Sequence, residues 1–214
     1  MKKSTLSIAC ALALATVAAP TMAEVALSAN VAMTTDYVWR GMTQNDEEAA
    51  IQGGFDAGLD NGLYAGIWGS NVNTGEGSME IDYYVGWATE LNSGVGVDVG
   101  VVAYTYPGTN DWDTEEYYLG ASFANYGGKL SYNNDFDTYY WEVSADFELP
   151  NEFGLGLHYG YWDMDGGDQA DWKLGVTKTL AAIDFELAYT DTDRSDSKDW
   201  ADGRVFLTVS KGWE

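Results

Sequence analysis

From Val25 to Arg40, apolar and polar residues take turns. Odd positions read Val25, Leu27, Ala29, Val31, Met33, Thr35, Tyr37 and Trp39, and even positions read Ala26, Ser28, Asn30, Ala32, Thr34, Asp36, Val38 and Arg40. A period of two predicts a strand with one oily and one mostly polar face. The run covers about sixteen residues, against the five or six usual for a soluble strand. Asp36 and Arg40 fall on the polar face, and Tyr37 and Trp39 close the oily one. An apolar face that ends in aromatics suits a membrane-crossing strand, because Tyr and Trp settle where lipid meets water.

The pattern recurs to the end of the chain. Alternation predicts strands over 51–60, 63–71, 79–88, 95–104, 116–123, 129–133, 139–149, 155–162, 172–177, 183–189 and 205–213. Faces are left unassigned for 63–71, and 129–133 is the weakest member. Asp60-Asn61-Gly62, Asn92-Ser93-Gly94, Asn125 to Gly128, Pro150-Asn151 and the stretch near Ala181 read as short turns. Met42 to Glu48, Asn73 to Gly77, Pro107 to Thr114, Asp163 to Ala170 and Asp191 to Ala201 read as longer polar loops. Short turns on one side, long loops on the other and an even strand count belong to outer-membrane barrels. The expected fold is therefore all-β: a transmembrane antiparallel up-and-down β-barrel of about 12 strands. A soluble sandwich also alternates, but its loops show no such bias between its two ends.

The N-terminus adds a compartment. Met1-Lys2-Lys3 is basic, Leu6 to Ala19 is apolar, and Thr21-Met22-Ala23 is small at its end. This reads as a signal peptide over 1–23, removed to leave a barrel domain over 24–214 in the bacterial outer membrane. Cys10 as a lipoprotein acylation site is rejected: Ser7 stands where a branched apolar residue is needed, and too few residues precede it for an apolar core. Cleavage removes Cys10, so the mature chain has no thiol for a disulfide, a nucleophile or a metal. The full chain has 10 basic and 34 acidic residues, and losing Lys2 and Lys3 moves its net charge from −24 to −26. That excludes nucleic acid as a partner and points to a surface or interior that repels anions. Acidity of this order often means disorder, but 14% aromatics and 25 glycines argue for strands.

Several segments resemble the TorF-type porin family of proteobacterial outer membranes. They are Thr34-Thr35-Asp36-Tyr37-Val38-Trp39-Arg40-Gly41 with Gln44, Ala50 to Asp56, Tyr64 to Val72, Glu80 to Gly86 and Asp202 to Phe206. The resemblance spans the mature chain and is densest over 25–90. It implies a small barrel with an assumed pore and brings no catalytic residues. Barrels of this kind usually end on Phe or Trp, which the assembly machinery reads; here Glu214 follows Trp213, and Lys211 interrupts the apolar face.

On the polar faces the alternation places Asp36, Asp56, Glu80, Asp82, Asp98, Glu116, Glu142, Asp146, Glu148, Asp184 and Glu186, with Arg40, Lys173 and Arg204 as the few bases. These are the candidate lumen residues, and acids in such excess favour cations in a pore. Arg40 is either a constriction residue facing acids across the lumen or a member of an ion pair locking strand one to its neighbours, the second being the commoner use of a buried charge. His158 has no serine beside it, so it reads as a polar lumen or rim residue rather than a general base. Asp163-Met164-Asp165-Gly166-Gly167-Asp168, with Asp171, has carboxylates at calcium-like spacing but lacks the full loop and its closing glutamate, so it reads as a solvated acidic loop. No cofactor is expected. A twelve-strand wall has a backbone radius of roughly 12 Å, and inward Tyr84, Tyr104, Tyr118, Tyr140 and Trp162 would each take roughly 6 Å of it. The reading is a narrow outer-membrane channel for small neutral or cationic solutes. Its expected partners are outer-membrane lipid, lipopolysaccharide and the barrel-assembly machinery. The alternatives are a pore-less structural or adhesive barrel and a barrel hydrolase resting on His158.

Overall fold

The computed structural model describes residues 25–73, 77–108, 112–164, 167–194 and 199–214. The proposed signal peptide, 1–23, lies outside them. Twelve antiparallel strands close a barrel. In chain order they are β1 (Val25–Thr34), β4 (Ala50–Leu59), β5 (Leu63–Asn71), β6 (Met79–Glu90), β7 (Val95–Thr105), β8 (Thr114–Phe123), β9 (Tyr126–Asn133), β10 (Thr138–Leu149), β11 (Phe153–Asp163), β12 (Gln169–Leu180), β13 (Ile183–Thr192) and β14 (Arg204–Trp213). Each strand pairs with its neighbour in sequence, and β1 pairs with β14, Ala29 opposite Trp213. Two strands of two residues each, β2 (Val38–Trp39) and β3 (Met42–Thr43), form a separate hairpin. No helix among the described residues is long and apolar enough to cross a membrane, and closure into a barrel is the other way to satisfy every backbone group there.

Burial is inverted relative to a soluble protein. Leu27, Phe55, Leu187 and Val205 are 56–69% exposed on the outer wall, while Glu80, Glu116, Gln169 and Asp171 are 1–3% exposed inside. A soluble sandwich would bury the first set. The outer wall is therefore a lipid-facing surface, and aromatics sit toward its ends as in other such barrels. Near the short-turn end lie Trp87, Phe123, Tyr126, Phe153 and Trp213. Lys178 lies over Phe153 and Lys211 over Trp213, 5.0 and 5.6 Å from the ring centres, so Lys211 joins the belt rather than breaking the wall. Toward the long-loop end Trp141 stacks on Tyr161 at 5.3 Å and leans on Tyr159.

Turn chemistry explains the short end. Gly62 follows Asn61 at φ 91°, where an added Cβ would strike the Ala88 carbonyl. Ala181 and Ala182 both take positive φ, 52° and 60°, as a two-residue turn between strands requires. The stretch 129–133 is not marginal: β9 begins at Tyr126 and pairs along both edges, Lys129 meeting Gly120 and Glu142. Leu63, Ala65 and Ile67 face outward and Tyr64, Gly66 and Trp68 inward, which settles the faces of β5.

The first strand is shorter than its alternation. β1 ends at Thr34, and from Asp36 the chain turns into the barrel. Tyr37 and Trp39 do not close a lipid face, and Asp36 and Arg40 do not lie on a strand wall. The physical reason is visible in the bonds: Thr34 Oγ1 donates to the Asp36 carbonyl at 2.7 Å, the Tyr37 amide donates to Asn45 Oδ1 at 2.9 Å, and the Gln44 amide donates to the Tyr37 carbonyl at 2.7 Å. Side chains capture the backbone locally and take it off the ladder. Trp39 and Met42 pair across a two-residue turn whose centre, Arg40-Gly41, has φ 49° and 79°.

Candidate functional site

The loop 35–45 fills the long-loop half of the lumen. Arg40, at the hairpin tip, reaches the far wall and forms a bidentate pair with Glu116 of β8, at 2.9 and 2.7 Å. The two side chains are 6% and 3% exposed. The guanidinium lies 4.1 Å from the Trp39 ring, 4.0 Å from Tyr140 and 4.7 Å from Trp162. A planar cation stacked among rings and held by a fork is the geometry in which arginine is desolvated at least cost. The pair spans the lumen, so it does not lock strand one to its neighbours; it holds the loop across the barrel.

Other contacts pin the loop around the ring. Asp36 accepts from Arg204 of β14 at 3.2 Å and from Thr43 Oγ1 at 2.6 Å, and Arg204 also meets Glu47 at 3.4 Å. Tyr37 meets Trp68 of β5 edge-on at 5.5 Å and donates its hydroxyl to Glu80 of β6 at 3.1 Å. Trp39 meets Tyr104 of β7 and Trp162 of β11, and the Arg40 carbonyl accepts from Gln169 of β12. Gly41 sits against Thr192 and Asp171, where a Cβ would collide with both side chains. Tight cover on all sides makes this loop a plug.

Below the plug the inward charged side chains are partly exposed: Lys129 and Glu142 by 37% and 24%, Lys173 and Glu186 by 35% and 27%. The inward tyrosines do not project as expected; they lie along the wall over glycines of the neighbouring strand. A Cβ on Gly66 would land on the Tyr84 ring, on Gly86 on Tyr64, on Gly100 on Tyr118 and on Gly160 on Tyr140. Rings laid over strand glycines cover bare backbone and hold register. Hydrogen bonds fix their tips: Tyr64 donates to Asp98 at 2.7 Å and meets Tyr118, and Tyr84 donates to Asp56. Lys129 pairs with Glu142 at 2.9 Å and Lys173 with Glu186 at 3.0 Å. Asp56, Asp98, Asp146 and Asp184 join no ion pair among the described residues. Asp184 stands at the open rim, taking a hydrogen bond from Thr179.

The structure thus splits the candidate residues by height. Asp36, Arg40, Glu80, Asp82, Glu116 and Arg204 belong to the plugged half. Asp56, Asp98, Glu142, Asp146, Asp184 and Glu186 belong to the open half. At the boundary Tyr140 donates to Asp171 at 2.9 Å and lies 3.0 Å from His158 Nε2, which is 3.1 Å from Asp171 Oδ1. His158 Nδ1 lies 3.9 Å from Glu142. His158 is therefore enclosed by a phenol and two carboxylates beneath Arg40; contrary to the sequence reading a serine does stand beside it, Ser144 opposite in the β10–β11 ladder, but no hydrogen bond joins the two among the described residues. The proposed acidic loop falls partly outside the described residues, and its Asp171 belongs instead to this buried group on β12. Lys129 was not foreseen as an inward base, because the faces of β9 could not be read from Gly127-Gly128.

The sequence matches the family described as a bacterial protein of unknown function, Gcw_chp, over residues 18–212. The chain belongs to that family. The narrower TorF-type resemblance is not carried by this match. No curated protein matches the chain. Among solved structures it is similar to the KdgM porin, with TM-score 0.62, 9% identity, and coverage of 87% of this chain and 99% of that one. The NanC porin follows with TM-score 0.53, 13% identity and coverage of 87% and 98%. LpxR from Salmonella typhimurium has TM-score 0.50, 7% identity and coverage of 87% and 99%. At such identities the likeness is one of fold. The Gcw_chp chain is thus a porin-like twelve-stranded barrel, an architecture of the outer membrane.

Proposed function

We propose that the protein is an outer-membrane channel for small neutral or cationic solutes, with an acidic inner chamber and an outer mouth controlled by the 35–45 plug. The observation that carries the reading is the unplugged half of the lumen, where partly exposed acids outnumber bases and tyrosines lie flat against the wall. Ions within a chamber so lined lie inside a Debye length of its carboxylates, about 10 Å at 0.1 M salt, so the charge acts on them. The KdgM porin has also been solved in complex with disordered oligogalacturonate, an anionic sugar chain. The chamber of this chain would repel such a solute.

A second reading is a pore-less structural barrel, and the plug favours it, since side chains fill the outer half. One experiment separates the two. In planar bilayers the mature protein should give small conductance steps, and Arg40→Ala should enlarge them by freeing the hairpin tip. Silence from both proteins, each folded by its heat-modifiable gel migration, sinks the channel and leaves the structural barrel.

A further inference from the structure

Two buried carboxylates on β6 have no counter-charge. Glu80 and Asp82 stand two residues apart on one inward face and are 2% and 8% exposed. The plug covers them, with Tyr37 bonded to Glu80 Oε1 and packed with Ala50, Val72, Trp68 and Tyr106. The other candidate acids under the plug have bases: Glu116 has Arg40 and Asp36 has Arg204. Neither Glu80 nor Asp82 joins an ion pair among the described residues. One oxygen of each, Glu80 Oε2 and Asp82 Oδ1, is sealed from water and meets no hydrogen-bond donor.

Buried ionised carboxylates are costly unless paired, and adjacent ones repel each other as well. A proton shared between them removes one charge and leaves the other with phenol hydrogen bonds from Tyr37 and Tyr106 but no counter-charge. A divalent cation removes both and gives the two orphaned oxygens a partner. The available donors are all oxygen: two carboxylates and the hydroxyls of Tyr37 and Tyr106. Burial, then Glu80 and Asp82, hold the Tyr106 phenol well above its ordinary range, so it stays a neutral hydroxyl. Hard oxygen donors with no nitrogen or sulfur suit calcium-class ions.

We propose that Glu80 and Asp82 form a binding site for a divalent, oxygen-seeking cation of the calcium class, seated under the plug and tying Tyr37 to the β6 wall. The site differs from the exposed acidic loops in being enclosed, and it stands whether or not the lumen conducts.

Terbium is the probe, because Tyr37, Tyr106 and Trp68 around the site can sensitise its luminescence. Chelator-stripped mature barrel in detergent should give a saturable signal that Ca²⁺ displaces. Glu80→Gln with Asp82→Asn should abolish that component. Asp163→Asn with Asp168→Asn, on the exposed loop side, should keep it. Should the double variant fail to show heat-modifiable migration, Asp82→Asn alone should weaken Ca²⁺ displacement by roughly ten-fold or more, since ligand charge sets affinity in such sites. A wild-type protein without a Ca²⁺-displaceable component overturns the proposal, as does a folded carboxylate variant that keeps it; protons would then neutralise the pair.

Discussion

The two halves of this lumen begin from the same sequence pattern and end differently. Glu80 and Asp82 in the outer half and Asp56 and Asp98 in the inner half all occupy inward positions of alternating strands. In the outer half a loop returns, excludes water and forces charges into pairs or under cover. In the inner half nothing returns; tyrosines lie on glycines and donate to Asp56 and Asp98, and Glu142 and Glu186 stay partly exposed. Alternation therefore fixes which side of the wall a residue faces, but not what stands above it. The difference lies in one short hairpin, and it can be broken from either side.

The largest effect should come from the plug's anchor. Arg40→Ala leaves Glu116, 3% exposed, without its partner. Removing one member of a buried pair costs about 3–5 kcal/mol, because the other charge remains uncompensated. Here the barrel wall survives, so the cost appears as local opening of 35–45. Hydrogen exchange at the Tyr37 and Gln44 amides, both bonded within the loop, should quicken by roughly two to three orders of magnitude. Arg40→Lys should fall in between, since an ammonium keeps the charge but loses the fork and the stacking. Unchanged exchange in Arg40→Ala would mean that Asp36–Arg204 and Tyr37–Glu80 suffice to hold the plug.

A smaller effect should come from the inner wall. Gly86→Val places methyl groups where the Tyr64 ring lies. The ring must leave the wall, losing its bond to Asp98 and entering the chamber. Overpacking of this kind costs about 1–3 kcal/mol, read as a lower urea midpoint for the barrel. In the Arg40→Ala background, the displaced ring should also reduce conductance. Adding Tyr64→Ala should restore most of both losses, because the clash needs both partners. A Gly86→Val barrel as stable as its parent would show that Tyr64 has another place to go.

Strand number, closure and most inward positions were legible because the side-chain period survives wherever a strand separates lipid from polar lumen. Two features were not. Thr34 to Arg40 alternates as a strand does, yet Thr34, Gln44 and Asn45 bond its backbone locally. The signal was Arg40-Gly41 between Trp39 and Met42, a two-residue hairpin turn hidden inside an apparently continuous run. The partners of Glu116 and Tyr140 were illegible for another reason: Arg40 meets both only because the loop crosses the barrel, which no local pattern encodes. Tyrosines over glycines were half-legible. The glycines are plain in the sequence, but which tyrosine lies opposite each depends on register.

The smallest effect tests the inner half's charge, and it needs the plug out of the way. In the Arg40→Ala background under a salt gradient, the reversal potential should show cation preference. Asp98 and Asp146 are the carboxylates to neutralise, because neither joins an ion pair among the described residues, although Lys129 and Lys173 lie near enough to act on them, whereas Glu142 and Glu186 hold those lysines directly. Removing those glutamates would free a lysine and confound the reading. Glu80 and Asp82 are unsuitable as well, since they lie under the plug. Asp98→Asn with Asp146→Asn should move the reversal potential toward zero without changing gel migration. At 1 M salt, where screening acts within about 3 Å, the difference between parent and double variant should shrink. Anion preference in the parent would mean that the lysines, not the unpaired aspartates, set the field in the chamber.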